Sequence, residues 1–317
     1  MNVSSQTTAW VDILLVNYNG GSQILETIAS IEQYSTPDTY RITVVDNGSS
    51  DDSCDQIEQR YPQVQLLRTG ANNGFGKGCN IGARHTNAPH IMLLNPDAQL
   101  LCNVIEIFQQ YLAVPQPGPQ PILGGLSVDS QGTPSYAYEH FPTPLTLMLK
   151  AFGLGRLLTP SYTRTEPHQV DYVSGSLLLI GREQFQQLHG FDESFFLYFE
   201  ETDLCLRARK AGWTAVYLPQ SHVMHIGSVS TGMRTWKRMP SYWFDSRLWY
   251  FTKNHGALYA ATATVAHVAG AAVSGLRKLL GNRRDTGPQH LVRDLVSHAL
   301  RCAWHRRLVG RVSPKPL

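Results

Sequence analysis

The amino-acid sequence predicts an α/β fold, in which a mostly parallel central sheet is flanked by helices and followed by a C-terminal helical appendage. Three observations lead to this prediction. Short β-branched runs alternate with amphipathic segments through the first hundred residues, polar clusters follow the predicted strands, and two helical patterns close the chain. Alternation of strands and helices is typical of parallel sheets with right-handed crossovers.

The predicted strands of the first hundred residues are short apolar runs at residues 10–16, 41–45, 64–67 and 90–94. A helical pattern follows the first of them, with Ile24, Ile28 and Ile31 at near-helical spacing. Further along we expect an apolar segment at 170–180, a helix over 196–211 and a strand over 214–218. The closing helical patterns cover residues 258–276 and 291–308.

Polar clusters stand at the carboxyl ends of three predicted strands: residues 17–20, 46–50 and 95–97. Each cluster alone is an ordinary turn sequence. Ligands of such sheets bind beyond the carboxyl ends of the strands. Three clusters at one edge therefore favour a binding site over three unrelated turns.

Composition and charge restrict the class of protein. The 317 residues are 42% apolar and 16% charged, which is typical of a globular chain. The net charge of +3 divides into −5 for residues 1–276 and +8 for residues 277–317, so the tail is suited to an anionic surface. Five scattered cysteines without a CxxC pair, and a polar first octet, predict a cytoplasmic protein without a disulfide framework.

Asp97 follows the apolar run IMLL in the tripeptide NPD. A carboxylate at a strand end beside a nucleotide site can ligate Mg²⁺ or Mn²⁺, which prefer oxygen donors and bridge substrate phosphates. The tripeptide alone favours the alternative, a turn-forming Asp after Pro. His225 precedes a Gly-Ser-Val-Ser segment, and its imidazole could complete a metal shell, which would favour Mn²⁺.

Three carboxylates, Glu200, Glu201 and Asp203, crowd the start of the predicted helix behind an aromatic run. Like charges held together in an apolar setting raise a pKa, which suits a general base. The alternative is a solvated helix start, where acidic residues are favoured by the helix dipole. The aromatic run favours carboxylates that line a pocket.

The chain resembles the inverting glycosyltransferases of family 2, which have the GT-A fold, and within them the rhamnosyltransferase-like enzymes of bacterial polysaccharide assembly. The resemblance spans about residues 11–256 and is carried by seven segments in order: ILLVNYNG, VVDNGSSDDS, NNGFGKGCNIG, LLNPD, VSGSLLLI, GFDESFFLYFEETDLCLRARKAGW and VMHIGSVS. It implies a catalytic domain over residues 1–256 and a helical, basic, membrane-associated tail over residues 257–317.

The resemblance also implies roles for individual residues. Tyr18 and Asp46 match the nucleobase pocket, and Asn72, Gly74 and Asn80 would shape the nucleoside site. Asp97 matches the metal-binding carboxylate of the family's Asp-x-Asp motif, His225 the distal metal histidine, and Glu201 the catalytic base.

Two positions depart from the family pattern. Asn95 replaces the first Asp of the Asp-x-Asp motif, and Glu201 stands where an Asp is usual, so Glu200 and Asp203 remain alternatives that share or take the base role. The mechanism expected from the family is direct displacement with inversion. A carboxylate deprotonates the acceptor hydroxyl, and a divalent metal stabilises the departing diphosphate.

The C-terminal tail indicates the kind of acceptor that the protein uses. Residues 258–276 are consistent with a transmembrane, an interfacial or a packing helix, and residues 291–308 form a basic amphipathic pattern that favours attachment to an anionic inner leaflet. The acceptor would then be a saccharide or a polyprenyl-diphosphate-linked saccharide. Its diphosphate could meet four basic residues, unless these form a solvated loop: Arg234, Lys237, Arg238 and Arg247. No nucleic-acid-binding motif accompanies the tail, so we expect no nucleic-acid partner.

Other classes remain as alternatives. A sugar-nucleotide pyrophosphorylase would carry a basic Gly-rich loop after the first strand, whereas NYNGGSQ has no basic residue. A catalytically silent nucleotide-sugar-binding protein would not need Asp97, Glu201 and His225 together. A membrane-scaffolding protein would depend on residues 257–317 for its recovery with membranes.

Overall fold

The computed structural model describes residues 9–115, 118–134, 137–158, 164–227, 237–279 and 288–309. The chain divides into two compact units. The first unit comprises residues 1–140, 161–192 and 204–231, and the second comprises residues 141–160, 193–203 and 232–317. The functional boundary predicted at residue 256 remains a prediction.

The first unit is an α/β domain built on a nine-stranded sheet within the described residues. Its strands are β1 (Val11–Asn17), β2 (Tyr40–Asp46), β3 (Gln65–Arg68), β4 (His90–Leu94), β5 (Ala98–Leu100), β6 (Ile122–Val128), β8 (His168–Val170), β10 (Leu177–Gly181) and β11 (Ala215–His225); β7 (Tyr138–Glu139) and β9 (Tyr172–Val173) form a separate pair. The sheet order is β3-β2-β1-β4-β10-β6-β11-β5, with β8 paired to β11.

Parallel pairing is concentrated in the first half of the sheet. Strands β3, β2, β1 and β4 are parallel neighbours, and β6 pairs parallel to β11, whereas β10, β5 and β8 run antiparallel to their neighbours. Helices of this unit flank the sheet: α1 (Gln23–Tyr34), α2 (Ser53–Arg60), α3 (Phe75–Arg84), α4 (Val104–Ala113) and α6 (Arg182–Gln187). The predicted α/β class is confirmed.

The core of the first unit explains the continuous apolar runs of the sequence. All seven residues of β1 are buried, because helices cover both faces of a central parallel strand. Ile24, Ile28 and Ile31 of α1 are fully buried in the same apolar cluster as Val11 and Met92. The helical period of α1 therefore corresponds to the face that packs on the sheet.

A buried ion pair fixes the amino-terminal end of β1. Asp12 is almost fully buried, and its Oδ2 lies 2.8 Å from a guanidinium nitrogen of Arg182. Arg182 also donates to the carbonyl oxygens of Ala88 and Ala83 at 2.5 and 3.0 Å. This network links the start of α6 to the loop before β4, so that the buried charges are compensated.

The second unit is helical in its described part. It contains α5 (Pro144–Leu149), a π-helical turn (Lys150–Leu154), a 3₁₀ turn (Gly155–Leu158), α8 (Ser241–His255), α9 (Ala257–Leu279) and α10 (Leu291–Val309). Helix α7 (Glu200–Lys210) contributes its first turn to this unit and its remainder to the first. Gly270 allows α9 to approach α5, because a Cβ there would collide with the carbonyl oxygen of Met148.

Candidate active site

The carboxyl ends of β1 and β2 are joined by a side-chain network. Asn17 is fully buried, and its Nδ2 donates to Ser53 Oγ at 2.9 Å and to Ser49 Oγ at 3.1 Å. Within the described part of the chain its Oδ1 has no hydrogen-bond partner, and a Cβ at Gly20 would collide with this oxygen. The sequence placed Asn17 in a polar cluster but did not show that it is buried and hydrogen-bonds to the segment after β2.

Asp46 ends β2 and is buried. Its Oδ2 accepts from the backbone N–H of Gly48, and its Oδ1 accepts from the backbone N–H of Ser49, both at 3.2 Å. A carboxylate oxygen has more than one lone pair, so these bonds leave acceptor capacity. The predicted contact of Asp46 with a pyrimidine base remains a prediction, as does that of the half-buried Tyr18.

The predicted nucleoside residues differ in their surroundings. Gly74 has a φ of 79°, and its N–H donates to Asn72 Oδ1 at 3.1 Å, which fixes the turn before α3. Asn80 is buried and exchanges two 2.9 Å hydrogen bonds with the backbone of Phe191. Asn80 thereby orders the segment that begins Gly190-Phe191, a role that its sequence context did not reveal.

Asn95, Asp97 and His225 converge at the ends of β4 and β11. His225 Nε2 lies 3.2 Å from Asp97 Oδ1 and 3.1 Å from Asn95 Nδ2. The backbone reinforces this approach: Ile226 N–H donates to the Asp97 carbonyl at 3.3 Å, and His225 pairs with Ala98 across β11 and β5. The two predicted metal ligands, Asp97 and His225, thus lie together, and Asn95, which is 130 residues from His225 in the chain, lies beside them.

This cluster suits a divalent cation. Asp97 is buried and His225 is mostly buried, with side-chain exposures of 8% and 19%. The donor set consists of a carboxylate, an imidazole and the Asn95 amide, whose oxygen and nitrogen are exchanged by a flip of the side chain. Mixed oxygen and nitrogen ligation is compatible with Mn²⁺. The residues present therefore fit the group that the resemblance implied.

The first turn of α7 carries two neighbouring carboxylates. Glu200 is buried, Glu201 is half-buried, and the Oε2 atom of each is buried with no hydrogen-bond partner among the described residues. Burial and the charge of Glu201 raise the pKa of Glu200 well above its usual range. Burial also raises the pKa of Glu201. The predicted proton-accepting environment is present in this turn.

Asp203 lies one turn further and is held differently. It is fully buried, and its two oxygens accept from Lys253 Nζ and Asn254 Nδ2 of α8, each at 2.8 Å. Neither Lys253 nor Asn254 was singled out from the sequence, because a pairing across 50 residues leaves no local signal. Asp203 has the geometry of an anchor that fixes the start of α7 on α8.

Backbone strain precedes these carboxylates. Tyr198 and Phe199 are consecutive non-glycine residues with φ of 70° and 69°, a region that bulky residues rarely adopt. Packing on α8 holds them there: Phe199 contacts the ring of Tyr250 at 5.5 Å, and Ser246 Oγ donates to the Leu197 carbonyl at 2.9 Å. Strain of this kind persists at sites where the surrounding structure over-determines the backbone.

Among the basic residues suggested for an acceptor diphosphate, the three that the structure describes, Lys237, Arg238 and Arg247, do not share one loop. Arg234 lies outside the described residues, and Arg238 makes a two-point ion pair with Asp294 at 2.6 and 2.8 Å. Arg247 lies in α8 with 1% exposure and donates to Thr264 Oγ1 and the Ala263 carbonyl. Burial lowers the pKa of Arg247 to about 10. Arg247 therefore does not belong to a solvated loop.

Helix α9 contains a stretch, Ala257–Gly275, that is long and apolar enough by length and composition to cross a membrane. Its mean hydropathy is 1.3, and 22% of it is buried within the protein. Exposed apolar side chains include Leu258 and Val265 on α9, and Leu300 and Trp304 on α10. The choice between a spanning, an interfacial and a packing helix stays open.

A polar cleft of about 660 Å³ lies at the opposite edge of the sheet, by the amino-terminal ends of the parallel strands. Asp12, Arg41 and Gln65 are among its lining residues. Ligands of open α/β sheets bind at the carboxyl ends of the strands. The cleft is therefore not assigned to the active site.

Comparison with known proteins agrees with this geometry. Residues 12–188 match the profile of Glycosyl transferase family 2. The chain belongs to this family and is a glycosyltransferase.

Among its relatives, the N-acetylglucosaminyl-diphospho-decaprenol L-rhamnosyltransferase of Mycobacterium tuberculosis is 32% identical over 240 residues, which cover 69% of this chain and 77% of that protein. The rhamnosyltransferase WbbL of Escherichia coli is 26% identical over 224 residues, covering 68% and 83%. The rhamnosyltransferase-like resemblance predicted from the sequence is confirmed.

Solved structures confirm the predicted GT-A fold. The mannosyltransferase PcManGT from Pyrobaculum calidifontis, in complex with GDP-Man and Mn²⁺, matches 96% of this chain and 88% of its own with a TM-score of 0.52 and 15% identity. GalNAc-T7 with UDP, GalNAc and Mn²⁺ matches 86% and 55%, with a TM-score of 0.55 and 17% identity. At such identities the likeness concerns the fold.

Proposed function

We propose that this glycosyltransferase moves rhamnose from a nucleoside-diphosphate donor to a saccharide or a polyprenyl-diphosphate-linked saccharide, with inversion and with a divalent metal. The observation that carries the proposal is the convergence of Asn95, Asp97 and His225 at the end of β4. The choice of rhamnose and of a lipid-linked acceptor is supported by the names of the Mycobacterium tuberculosis and Escherichia coli relatives.

The metal is assigned to Asp97 and His225, with Asn95 as a third donor. A bound Mn²⁺ or Mg²⁺ supplies Lewis-acid stabilisation of the charge on the leaving diphosphate. The residues of the chain have a separate task. The β11–β5 pairing and the Ile226 N–H to Asp97 carbonyl bond hold the donor atoms together before any ligand binds. Such preorganisation avoids a reorganisation cost during the reaction.

The general base is assigned to Glu201, with Glu200 as its alternative, whereas Asp203 is assigned to positioning. Glu201 takes the proton of the acceptor hydroxyl as the acceptor oxygen bonds to the anomeric carbon. The bond between that carbon and the diphosphate oxygen breaks, and its electron pair leaves with the nucleoside diphosphate. The raised pKa of Glu201 strengthens it as a base once it is ionised. Asp203 has both oxygens bound by Lys253 and Asn254, which favours its anchoring role.

The proposed location is the cytoplasmic face of the membrane, with the tail on anionic lipid. Support comes from the exposed apolar side chains of α9 and α10 and from the net charge of +8 in residues 277–317. Arg247 is buried with 1% exposure, so we do not assign the acceptor diphosphate to it. We assign no nucleic-acid partner.

The test is a donor panel with the full chain and Mn²⁺ or Mg²⁺, in which the released nucleoside diphosphate is measured with and without a lipid-linked acceptor. We expect release from a thymidine-diphosphate rhamnose donor that depends on acceptor and metal. Absence of release from every donor would contradict the transferase proposal. Formation of sugar nucleotide from sugar phosphate would instead identify a pyrophosphorylase, and full turnover by an Asp97→Ala variant would contradict the metal assignment.

A further inference from the structure

A second group of metal-binding side chains lies in the helical unit. Asp245 belongs to α8, and His298 and Cys302 belong to α10, where a spacing of four residues places them on the same helix face. His298 Nε2 lies 2.7 Å from Asp245 Oδ1 and 3.7 Å from Cys302 Sγ. One ligand atom from each residue lies within 4.8 Å of the other two.

The geometry distinguishes a metal site from a proton relay. In a relay the nucleophile and the carboxylate bind opposite nitrogens of the histidine ring. Here Asp245 and Cys302 both approach the same atom, Nε2. A proton on Nε2 can serve only one acceptor well, whereas a cation at the centre of the three atoms serves all of them.

Helix α10 has little else to hold it by apolar packing. Leu295 is the one apolar side chain below a tenth exposed among residues 291–304, where the structure describes the side chains. The buried polar residues of the same stretch are Asp294, which pairs with Arg238, and His298. Polar links therefore contribute to the attachment of α10 within its unit, and the Asp245–His298–Cys302 group is one of them.

We propose that Asp245, His298 and Cys302 bind Zn²⁺ and thereby fasten α10 to α8. Thiolate, imidazole and carboxylate together are ligands that Zn²⁺ accepts in tetrahedral geometry, with water at the fourth position. Tetrahedral zinc sites separate nitrogen and sulfur ligands by about 3.6 Å, from the usual bond lengths. The observed separation of 3.7 Å matches this value. The half-exposed Asp245 carboxylate moves outward by less than an ångström to complete the site, on the order of 0.7 Å from the same bond lengths.

This site is independent of the proposed sugar transfer. It has a sulfur ligand, whereas the Asn95–Asp97–His225 cluster has none. Cobalt substitution exploits this difference, because only thiolate ligation gives a sulfur-to-cobalt charge-transfer band in the near ultraviolet. We expect the reduced, metal-stripped full chain to develop this band with one Co²⁺ per chain and to lose it on addition of one equivalent of Zn²⁺.

Single substitutions distinguish the proposed zinc site from the Asn95–Asp97–His225 cluster. Cys302→Ser should abolish the band and weaken Zn²⁺ binding at least about 100-fold, since loss of a ligand exceeds the usual effect of losing an outer-shell partner. Cys102→Ser removes another half-buried thiol and should retain the band. Asp97→Asn should also retain it. Asp245→Asn provides a second test with little change in shape, and should weaken Zn²⁺ binding.

Thermal unfolding gives a second measurement. In the Asp97→Asn background, which lacks the other proposed metal site, zinc should raise the Tm of the chain and of Cys102→Ser, but not that of Cys302→Ser. The proposal is overturned if the parent chain shows no charge-transfer band, or if Cys302→Ser shows the same band and, in the Asp97→Asn background, the same zinc-dependent Tm as the parent.

Discussion

The carboxylate of Asp97 in the first compact unit and the neighbouring carboxylates of Glu200 and Glu201 in the second have opposite surroundings. Asp97 lies beside an imidazole, with His225 Nε2 at 3.2 Å. Glu200 and Glu201 lie beside each other, and each has a buried oxygen for which the described residues offer no hydrogen-bond partner. The first arrangement places a carboxylate and an imidazole where one cation could contact both, whereas burial in the second raises the pKa of both glutamates and favours proton uptake. The contrast supports a division of labour between metal binding and proton transfer.

Asp203 shows that burial alone does not decide the role. It is the most buried of the carboxylates at the start of α7, yet Lys253 and Asn254 occupy both its oxygens. Three acidic residues within four positions therefore have different tasks, which their partners determine. The following predictions test this contrast.

Asp97→Asn should have the largest effect on catalysis, a loss of roughly 10³-fold in kcat/KM, because it removes the charged metal ligand and several kcal/mol of transition-state stabilisation. Steady-state release of nucleoside diphosphate measures it. Asp55→Asn, at an exposed carboxylate on α2, serves as the control and should stay within about twofold of the parent. Equal losses in both variants would contradict the assignment of Asp97.

Glu201→Gln should lower kcat by about 10²–10³-fold, since general-base catalysis contributes on that scale. Metal affinity should not change. In the parent enzyme, kcat/KM should fall as the pH drops through the raised pKa of Glu201, because protonation removes the base. An acidic limb at the ordinary pKa of a glutamate, or a larger loss in Glu200→Gln, would move the base to another residue.

Lys253→Met should destabilise the fold by about 3 kcal/mol, because the buried Asp203 carboxylate loses its counter-ion. Arg68→Met removes an exposed pair with Glu58 and should cost less than about 1 kcal/mol. Urea unfolding of both variants provides the comparison. Similar values for the two would show that Asp203 does not depend on Lys253.

His225→Ala should weaken activation by Mn²⁺ about 10–100-fold, in the range seen when partners of a metal site are removed. His222→Ala is a matched control, because His222 lies on the same strand and its ring bonds to the Pro219 carbonyl. The measurement is the metal concentration at half-maximal activity. Equal shifts in both variants would argue for a general effect on β11.

Glu200→Gln should raise the Tm at pH 7 by a few °C, on the order expected for a modest gain in stability. The folded-state pKa of Glu200 lies above its unfolded value, so the folded protein binds more protons and its stability falls as the pH rises between the two values. Glutamine removes this penalty. The gain should therefore vanish at pH values below both pKa values, and a gain that is independent of pH would refute this explanation.

Local sequence patterns predicted the first half of the sheet well. Strand β4 has the bounds expected for it, and β1 begins and ends one residue later than predicted. The length of the last strand was underestimated, because a proline such as Pro219 usually ends a strand. In the structure β11 continues from Ala215 to His225, and the register shift between Leu218 and His222 absorbs the proline.

The first residue of α7 could not be predicted from the local sequence. A helix was expected from residue 196, but the left-handed Tyr198 and Phe199 delay it to Glu200. Their conformation depends on contacts with α8, which lies more than 40 residues later in the chain. The candidate site residues were identified from motifs, whereas the partners Lys253, Asn254 and Asn17 follow from tertiary packing alone.

The pairing of β5 with the far end of β11 has a consequence for synthesis of the chain on the ribosome. Asn95 and His225 are separated by 130 residues, so the nascent chain carries Asp97 without its histidine during that interval. At ordinary elongation rates the interval lasts about 7 to 26 s. The pairing of Asp97 with His225 therefore forms only when β11 has been synthesised, near the completion of the sheet, so the proposed metal site cannot assemble earlier.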